Sequence, residues 1–139
     1  MLYYLDACIV IYCVEGQPAF QVRARNHIAA LESAGHRFVV SELTWTECLV
    51  KPLGAGDGPL LLDYNKFFLG PHLTMVPLTV SCYQRAALIR GMFRYATNRS
   101  FGLADSLHLA AALESRIDRF LTNDHRLAGF KEVNVEVLP

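Results

Sequence analysis

The chain has 139 residues, 53% of them apolar and 19% charged, with 13 Lys plus Arg balanced by 13 Asp plus Glu. That length and composition predict one packed domain spanning 1–139 and exclude disordered and collagen-like chains. A formal net charge of zero also argues against a protein that coats nucleic acid by bulk electrostatics. The charge is unevenly spread, however: no acid falls between Asp63 and Asp105, whereas Lys66, Arg85, Arg90, Arg94 and Arg99 all do.

Leu2 to Leu5 is an aromatic and aliphatic run that reads as a buried first strand ending at Asp6, and Ala7 to Glu15 reads as a helix closed by Gly16. Pro18 opens an amphipathic helix that ends at Gly35. Arg37 to Val40 is a second strand, after which Ser41 is expected to cap a helix from Glu42 to about Val50, stopped by Pro52. Gly54 to Gly58 reads as a loop, Pro59 to Leu69 as a helix, and Leu73 to Val76 as a third strand. Thr79 or Ser81 starts a long helix expected to reach about Ala96, with Leu88, Ile89, Met92 and Phe93 inside. A further helix, Leu103 to Ser115, is apolar enough between Leu107 and Leu113 to be buried. Arg119 to Thr122 and Val133 to Leu138 complete five strands. Strands separated by helices, with near-continuous apolar runs, predict an α/β three-layer sandwich: a mainly parallel, about five-stranded sheet flanked by helices.

The four cysteines, Cys8, Cys13, Cys48 and Cys82, form no C-x-x-C pair, which fits free thiols in a reducing, cytoplasmic compartment. The first residues lack the basic start of a signal peptide, and the longest uncharged run, Phe67 to Gln84, is broken by Gly70, Pro71 and Pro77, so no membrane span is expected.

Ligand crevices of open parallel sheets lie beyond the carboxyl ends of the strands, and two acids fall there: Asp6 after the first strand and Asp124 after the fourth. Two more lie on helices: Glu47 between Leu43 and Val50, and Asp105 between Phe101 and Leu109, on faces expected to be apolar. Each has a plainer structural role open to it. Asp6 and Asp124 can cap turns, Asp105 can sit at the positive end of its helix, and Glu47 can close a Thr44-x-x-Glu47 capping box. If all four converge, each pair repels by about 4 kcal/mol at roughly 4 Å. Such a site demands a cation, and its oxygen donors suit Mg²⁺, with Mn²⁺ as a substitute. Ions of this kind activate water for in-line attack on a phosphodiester.

At these residues the sequence resembles the PIN domain family, and within it the VapC-like toxin ribonucleases of toxin–antitoxin modules. The resemblance rests on Tyr4-Leu-Asp-Ala-Cys-Ile-Val-Ile-Tyr, Ser41-Glu-Leu-Thr-Trp-Thr-Glu-Cys-Leu-Val-Lys-Pro, Leu103-Ala-Asp-Ser-Leu-His-Leu-Ala-Ala-Ala-Leu and Phe120-Leu-Thr-Asn-Asp-His-Arg-Leu, in that order. It implies a metal held by Asp6, Glu47, Asp105 and Asp124, supported by the Thr122 hydroxyl. It further implies magnesium-dependent cleavage of RNA, a homodimer, and inhibition by a cognate antitoxin. Cys8 departs from the family's usual Asn or Ser two positions after the first Asp. The rival from another class is a catalytically silent PIN-like interaction domain whose acids only cap and pack. A dehalogenase-type phosphatase fits less well, because Cys8 stands where its D-x-D motif needs a second acid, and a phosphoacceptor receiver would need paired acids near the first strand and a Lys after the last, neither of which is present.

Elsewhere the plainer readings hold. His108 and His125 read as packing or solvent residues, and Trp45 as core. Arg90 and Arg94, at i and i+4 of the long helix, are candidate RNA-backbone contacts against the alternative of a solvated face.

Overall fold

The computed structural model describes residues 1–95 and 98–139. Strands β1 (Leu2–Leu5), β2 (Arg37–Ser41) and β3 (Leu73–Val76) come first along the chain. They alternate with helices α1 (Ala7–Glu15), α2 (Pro18–Ser33), α3 (Glu42–Ala55) and α4 (Gly58–Phe68). Helix α5 (Val80–Met92), the short pair β4 (Arg94–Tyr95) and β5 (Arg99–Ser100), and helix α6 (Leu103–Glu114) follow. The chain ends with β6 (Arg119–Thr122), a 3₁₀ turn at His125–Gly129, and β7 (Val135–Val137).

The main sheet has five strands in the order β3-β2-β1-β6-β7, all parallel, and among the described residues six α-helices flank it. Alternate residues along each strand feed opposite layers, as the pleat requires. Tyr4, Val39 and Phe120 pack with α5 and α6, whereas Tyr3, Leu5, Phe38, Val40 and Leu121 pack with α1, α2 and α4. Both faces are therefore covered, which is why Tyr3 to Leu5, Phe38 to Val40 and Phe120 to Leu121 in the central strands are continuously apolar rather than alternating. The chain builds β1, β2 and β3 outward in one direction, then crosses back to lay β6 and β7 on the other side of β1. The order reverses between β1 and β6, and a crevice opens at such a switch point, beyond the strands' carboxyl ends.

Four local expectations are corrected. Pro52 does not stop α3, which runs on through Gly54 to Ala55. The stop is Gly56, left-handed at φ 63°, whose N–H bonds Leu53 O at 3.3 Å while Asp57 N–H bonds Pro52 O at 2.9 Å. Ser41 occupies the N-cap position of α3 but its hydroxyl makes no cap bond; it pairs with the Tyr4 hydroxyl at 2.9 Å. Helix α5, capped by Thr79, closes at Met92; its expected end near Ala96 lies outside the described residues. Its inner face is Cys82, Ala86 and Ile89, while Leu88 and Met92 are exposed. Trp45, expected in the core, lies on the surface at 41% exposure.

Candidate functional site

Asp6 terminates β1 and caps α1, and its Oδ1 accepts from Ala7 N–H at 2.8 Å. Its Oδ2 accepts from the Thr122 hydroxyl at 2.6 Å, so the ends of β1 and β6 are tied across the switch point. Thr122 Oγ1 in turn accepts from Asp124 N–H at 3.0 Å. Asp124 caps the 3₁₀ turn, with Oδ1 accepting from Arg126 N–H at 3.0 Å. Asp105 enters from the first turn of α6. Asp6 is only 8% exposed. A carboxylate so buried is sustained by donors such as Ala7 N–H and Thr122 Oγ–H.

The charges of the acids reach one another. Burial, followed by the charges of Asp6 and Asp124, pushes the Asp105 carboxyl above the usual carboxylate range; Arg126 and His108 offset part of this. Asp124 moves the other way, because Arg126 hydrogen-bonds its carboxylate. Cys8 lies among these groups, 3.7 Å from Asp6 Oδ2 and accepting from Asn123 N–H at 3.4 Å. Burial, with the Asp6 charge, pushes its thiol up to about 12, so it stays a neutral thiol at pH 7.

Glu47 approaches from α3, half-buried, with Oε1 2.5 Å from His108 Nε2. The Thr44 capping box does not form, because Thr44 sits inside the helix and its buried hydroxyl finds no partner among the described residues. Nor is the Glu47 face buried throughout, since Val50 is exposed.

Two residues outside the expected site carry contacts here: His108, read from the sequence as a packing or solvent residue, and Arg126, not singled out there. His108 is 2% exposed and meets Glu47 and, at 4.0 Å, Asp6 Oδ1. Arg126 meets Asp124 and Asp105. Each stands close in sequence to an acid already singled out: His108 is one helical turn after Asp105, and Arg126 two residues after Asp124. That spacing was the available signal. His125 is exposed.

Arg90 and Arg94 do not share a helical face, because Arg94 lies beyond the end of α5. Arg94 Nη1 donates to the carbonyls of Arg90, Gly91 and Phe93, and Arg90 Nε donates to Phe101 O at 3.1 Å. Arg94 thus closes the carbonyl end of α5, and Arg90 ties that helix to the segment before α6.

Among the described residues, no three His, Cys, Asp or Glu side chains converge as a ready-made metal cage. Glu47 is drawn toward His108 and Asp124 toward Arg126. The donor chemistry still fits a hard divalent cation: the carboxylates of Asp6, Asp105 and Asp124 offer oxygen donors near the switch point, close enough for the charges of Asp6 and Asp124 to add to burial in raising the Asp105 carboxyl. A cleft of about 440 Å³ beside Asp124, lined by Cys8, Tyr12, Asn123, His125 and Arg126, gives access to the site. A second depression of about 450 Å³, lined among others by Cys13, Arg25, Glu32, Asp63 and Lys66, contains none of these four acids.

The family model of the PIN domain matches residues 3–134, and the chain belongs to that family. Its fold is shared by solved toxin–antitoxin structures. VapBC2 from Rickettsia felis is 15% identical with a TM-score of 0.77, and all of both chains is covered. VapBC-1 from nontypeable Haemophilus influenzae is 16% identical with a TM-score of 0.74 over 99% of this chain and 98% of that one. VapC20 of Mycobacterium tuberculosis, a sarcin–ricin-loop-cleaving toxin, is 14% identical with a TM-score of 0.70 over 95% and 98%. No curated protein matches the sequence.

Proposed function

We propose that this chain is a metal-dependent endoribonuclease of the VapC toxin kind, which hydrolyses RNA phosphodiester bonds, acts as a homodimer and is inhibited by a cognate antitoxin. The observation that carries this reading is the placement of Asp6, Thr122 and Asp124 on the two strand ends at the switch point, with Asp105 electrostatically coupled to both acids. Asp6, Glu47, Asp105 and Asp124 would hold Mg²⁺, or Mn²⁺ in its place. The ion, when bound, would activate water and neutralise charge on the phosphodiester. Thr122 keeps Asp6 Oδ2 in place through its hydroxyl, and Asp105, once ionised, supplies a second carboxylate beside it. The toxin–antitoxin neighbours support an antitoxin partner. Exposed Val80, Tyr83, Leu88 and Met92 on α5 support self-association.

The test is Mn²⁺ titration by calorimetry together with cleavage of a structured RNA in Mg²⁺ and in excess EDTA. Uptake of metal and chelator-sensitive cleavage are the expected results. Cleavage that survives EDTA would overturn the metal mechanism. Absence of both uptake and cleavage would favour the silent interaction domain, a reading supported by the engagement of Asp124 with Arg126.

A further inference from the structure

We propose that His108 is a positioning residue that holds Glu47 in place to serve as a metal ligand; this rests on the metal-dependent reading above. His108 sits on the apolar inner part of α6, where a polar ring must satisfy both nitrogens within the protein. Nε2 meets Glu47 Oε1 at 2.5 Å, and Nδ1 meets the Tyr4 hydroxyl at 2.7 Å. Tyr4 also bonds Ser41 Oγ at 2.9 Å, and both Tyr4 and Ser41 are fully buried. The result is a line of four side chains from the core of β1 and β2 out to the site.

Proton counting fixes the direction of the last link. A carboxylate only accepts, so Nε2 carries the hydrogen shared with Glu47. The single Tyr4 hydroxyl hydrogen points either to Nδ1 or to Ser41, and in both cases the Nε2–H still faces Glu47. Glu47 otherwise has little to hold it, being half-buried on α3 with exposed Val50 one turn further on. The bond to His108 occupies Oε1 and leaves Oε2 without a hydrogen bond among the described residues, available to a cation. Because His108 Nε2 is also 4.0 Å from Asp6 Oδ1, the same N–H draws Glu47 toward the Asp6 side of the site. Hydrogen bonds to ligand side chains of this kind set metal affinity.

The test compares His108→Gln with His108→Asn. The Gln amide nitrogen reaches the place of Nε2, whereas the Asn nitrogen stops near that of Nδ1. Each variant is titrated with Mn²⁺ by calorimetry and by loss of the free-ion EPR signal, melted without metal, and assayed for kcat and KM on RNA. Asn is expected to weaken Mn²⁺ binding about 10- to 100-fold, while Gln stays within about threefold of the parent, although the two melt alike. kcat should follow the metal affinity with KM for RNA unchanged. Equal losses in both variants, or Mn²⁺ binding by the Asn variant at parental strength, would make His108 a packing residue. If the Asn variant does not fold, Tyr4→Phe decides: it removes the anchor behind Nδ1, and parental Mn²⁺ affinity there overturns the proposal. If the parent itself takes up no Mn²⁺, the metal reading falls and takes this inference with it. A parent that binds Mn²⁺ beside an Asn variant that binds it equally well sinks this inference alone.

Discussion

Arg126 grips Asp124 with two nitrogens: Nε lies 2.9 Å from Oδ1 and 3.1 Å from Oδ2, and Nη2 lies 2.5 Å from Oδ2. The same Nη2 is 3.8 Å from Asp105 Oδ2, so without metal the chain supplies its own cation to two of the four acids. A divalent ion held as proposed would have to compete with that guanidinium. Arg126→Ala should therefore tighten Mn²⁺ binding, by roughly two- to fivefold because Arg126 is 57% exposed and its ion pair is screened. The same variant should lose less than about 1 kcal/mol of metal-free stability. Calorimetry checks both halves, and weaker Mn²⁺ binding would show that Arg126 supports the site instead of competing for it.

Asp105 and Asp124 should make metal-free stability depend on pH in opposite senses. The Asp105 carboxyl is raised in the folded chain, so between the ordinary carboxylate range and its raised value the folded state holds a proton the unfolded state has lost. Stability falls as pH rises through that window. Asp124 is lowered, so its contribution is present above the ordinary range and is lost as pH falls through its depressed value. Asp105→Asn should accordingly melt a few degrees above the parent at neutral pH in EDTA, with the gain vanishing in acid. Melting curves across roughly pH 2 to 8 bracket both windows. A lower melting point for Asp105→Asn at pH 7 would mark the carboxylate as a structural anchor.

Asp6→Asn separates capping from chemistry. The amide oxygen still accepts from Ala7 N–H, so α1 keeps its cap and the metal-free melt should stay close to that of the parent. Cleavage should fall by about 100-fold or more, corresponding to roughly 3 kcal/mol of lost charge stabilisation. Mg²⁺, which should raise the parent's melting point by mass action, should do so less in this variant. Parental cleavage by Asp6→Asn would remove this carboxylate from the mechanism.

Arg90 and Arg94 now lead to a stability prediction first. Their bonds to the carbonyls at the end of α5 and to Phe101 O should make the double Ala variant less stable by about 1 kcal/mol. If they also touch the RNA backbone, the slope of log affinity against log salt should drop by about 0.7 for each lost contact. A lower melting point with an unchanged salt slope would assign both arginines to the fold alone.

The parts of this protein legible in sequence were those set by local chemistry. The runs Leu2–Leu5, Leu73–Val76 and Arg119–Thr122 matched their strands because a sheet covered on both faces leaves no polar alternation to misread. Pro52 misled because a proline inside a helix forfeits one hydrogen bond without ending the helix when the ring is buried and Gly56 waits one turn on. The inner face of α5 was misplaced because its polarity contrast is weak, and tertiary packing chose Cys82, Ala86 and Ile89. At the site, strand-end position marked Asp6 and Asp124. What His108 and Arg126 touch depends on how α6, α3 and the 3₁₀ turn meet in space, a long-range relationship that spacing suggests but does not state.

The bond between Thr122 and Asp6 joins residues 116 positions apart. Synthesis proceeds from the N-terminus, so a nascent chain carries Asp6 and Glu47 well before Asp105, Thr122 and Asp124 leave the ribosome. Until β6 docks beside β1, the first carboxylate lacks its hydroxyl partner and the fourth has no turn to cap. For the activity proposed above, the ribosome making this chain is thus screened from it by the topology itself. On that reading the switch-point strand order leaves every partial product unarmed, and only a chain synthesised past Asp124 would carry the complete set of acids.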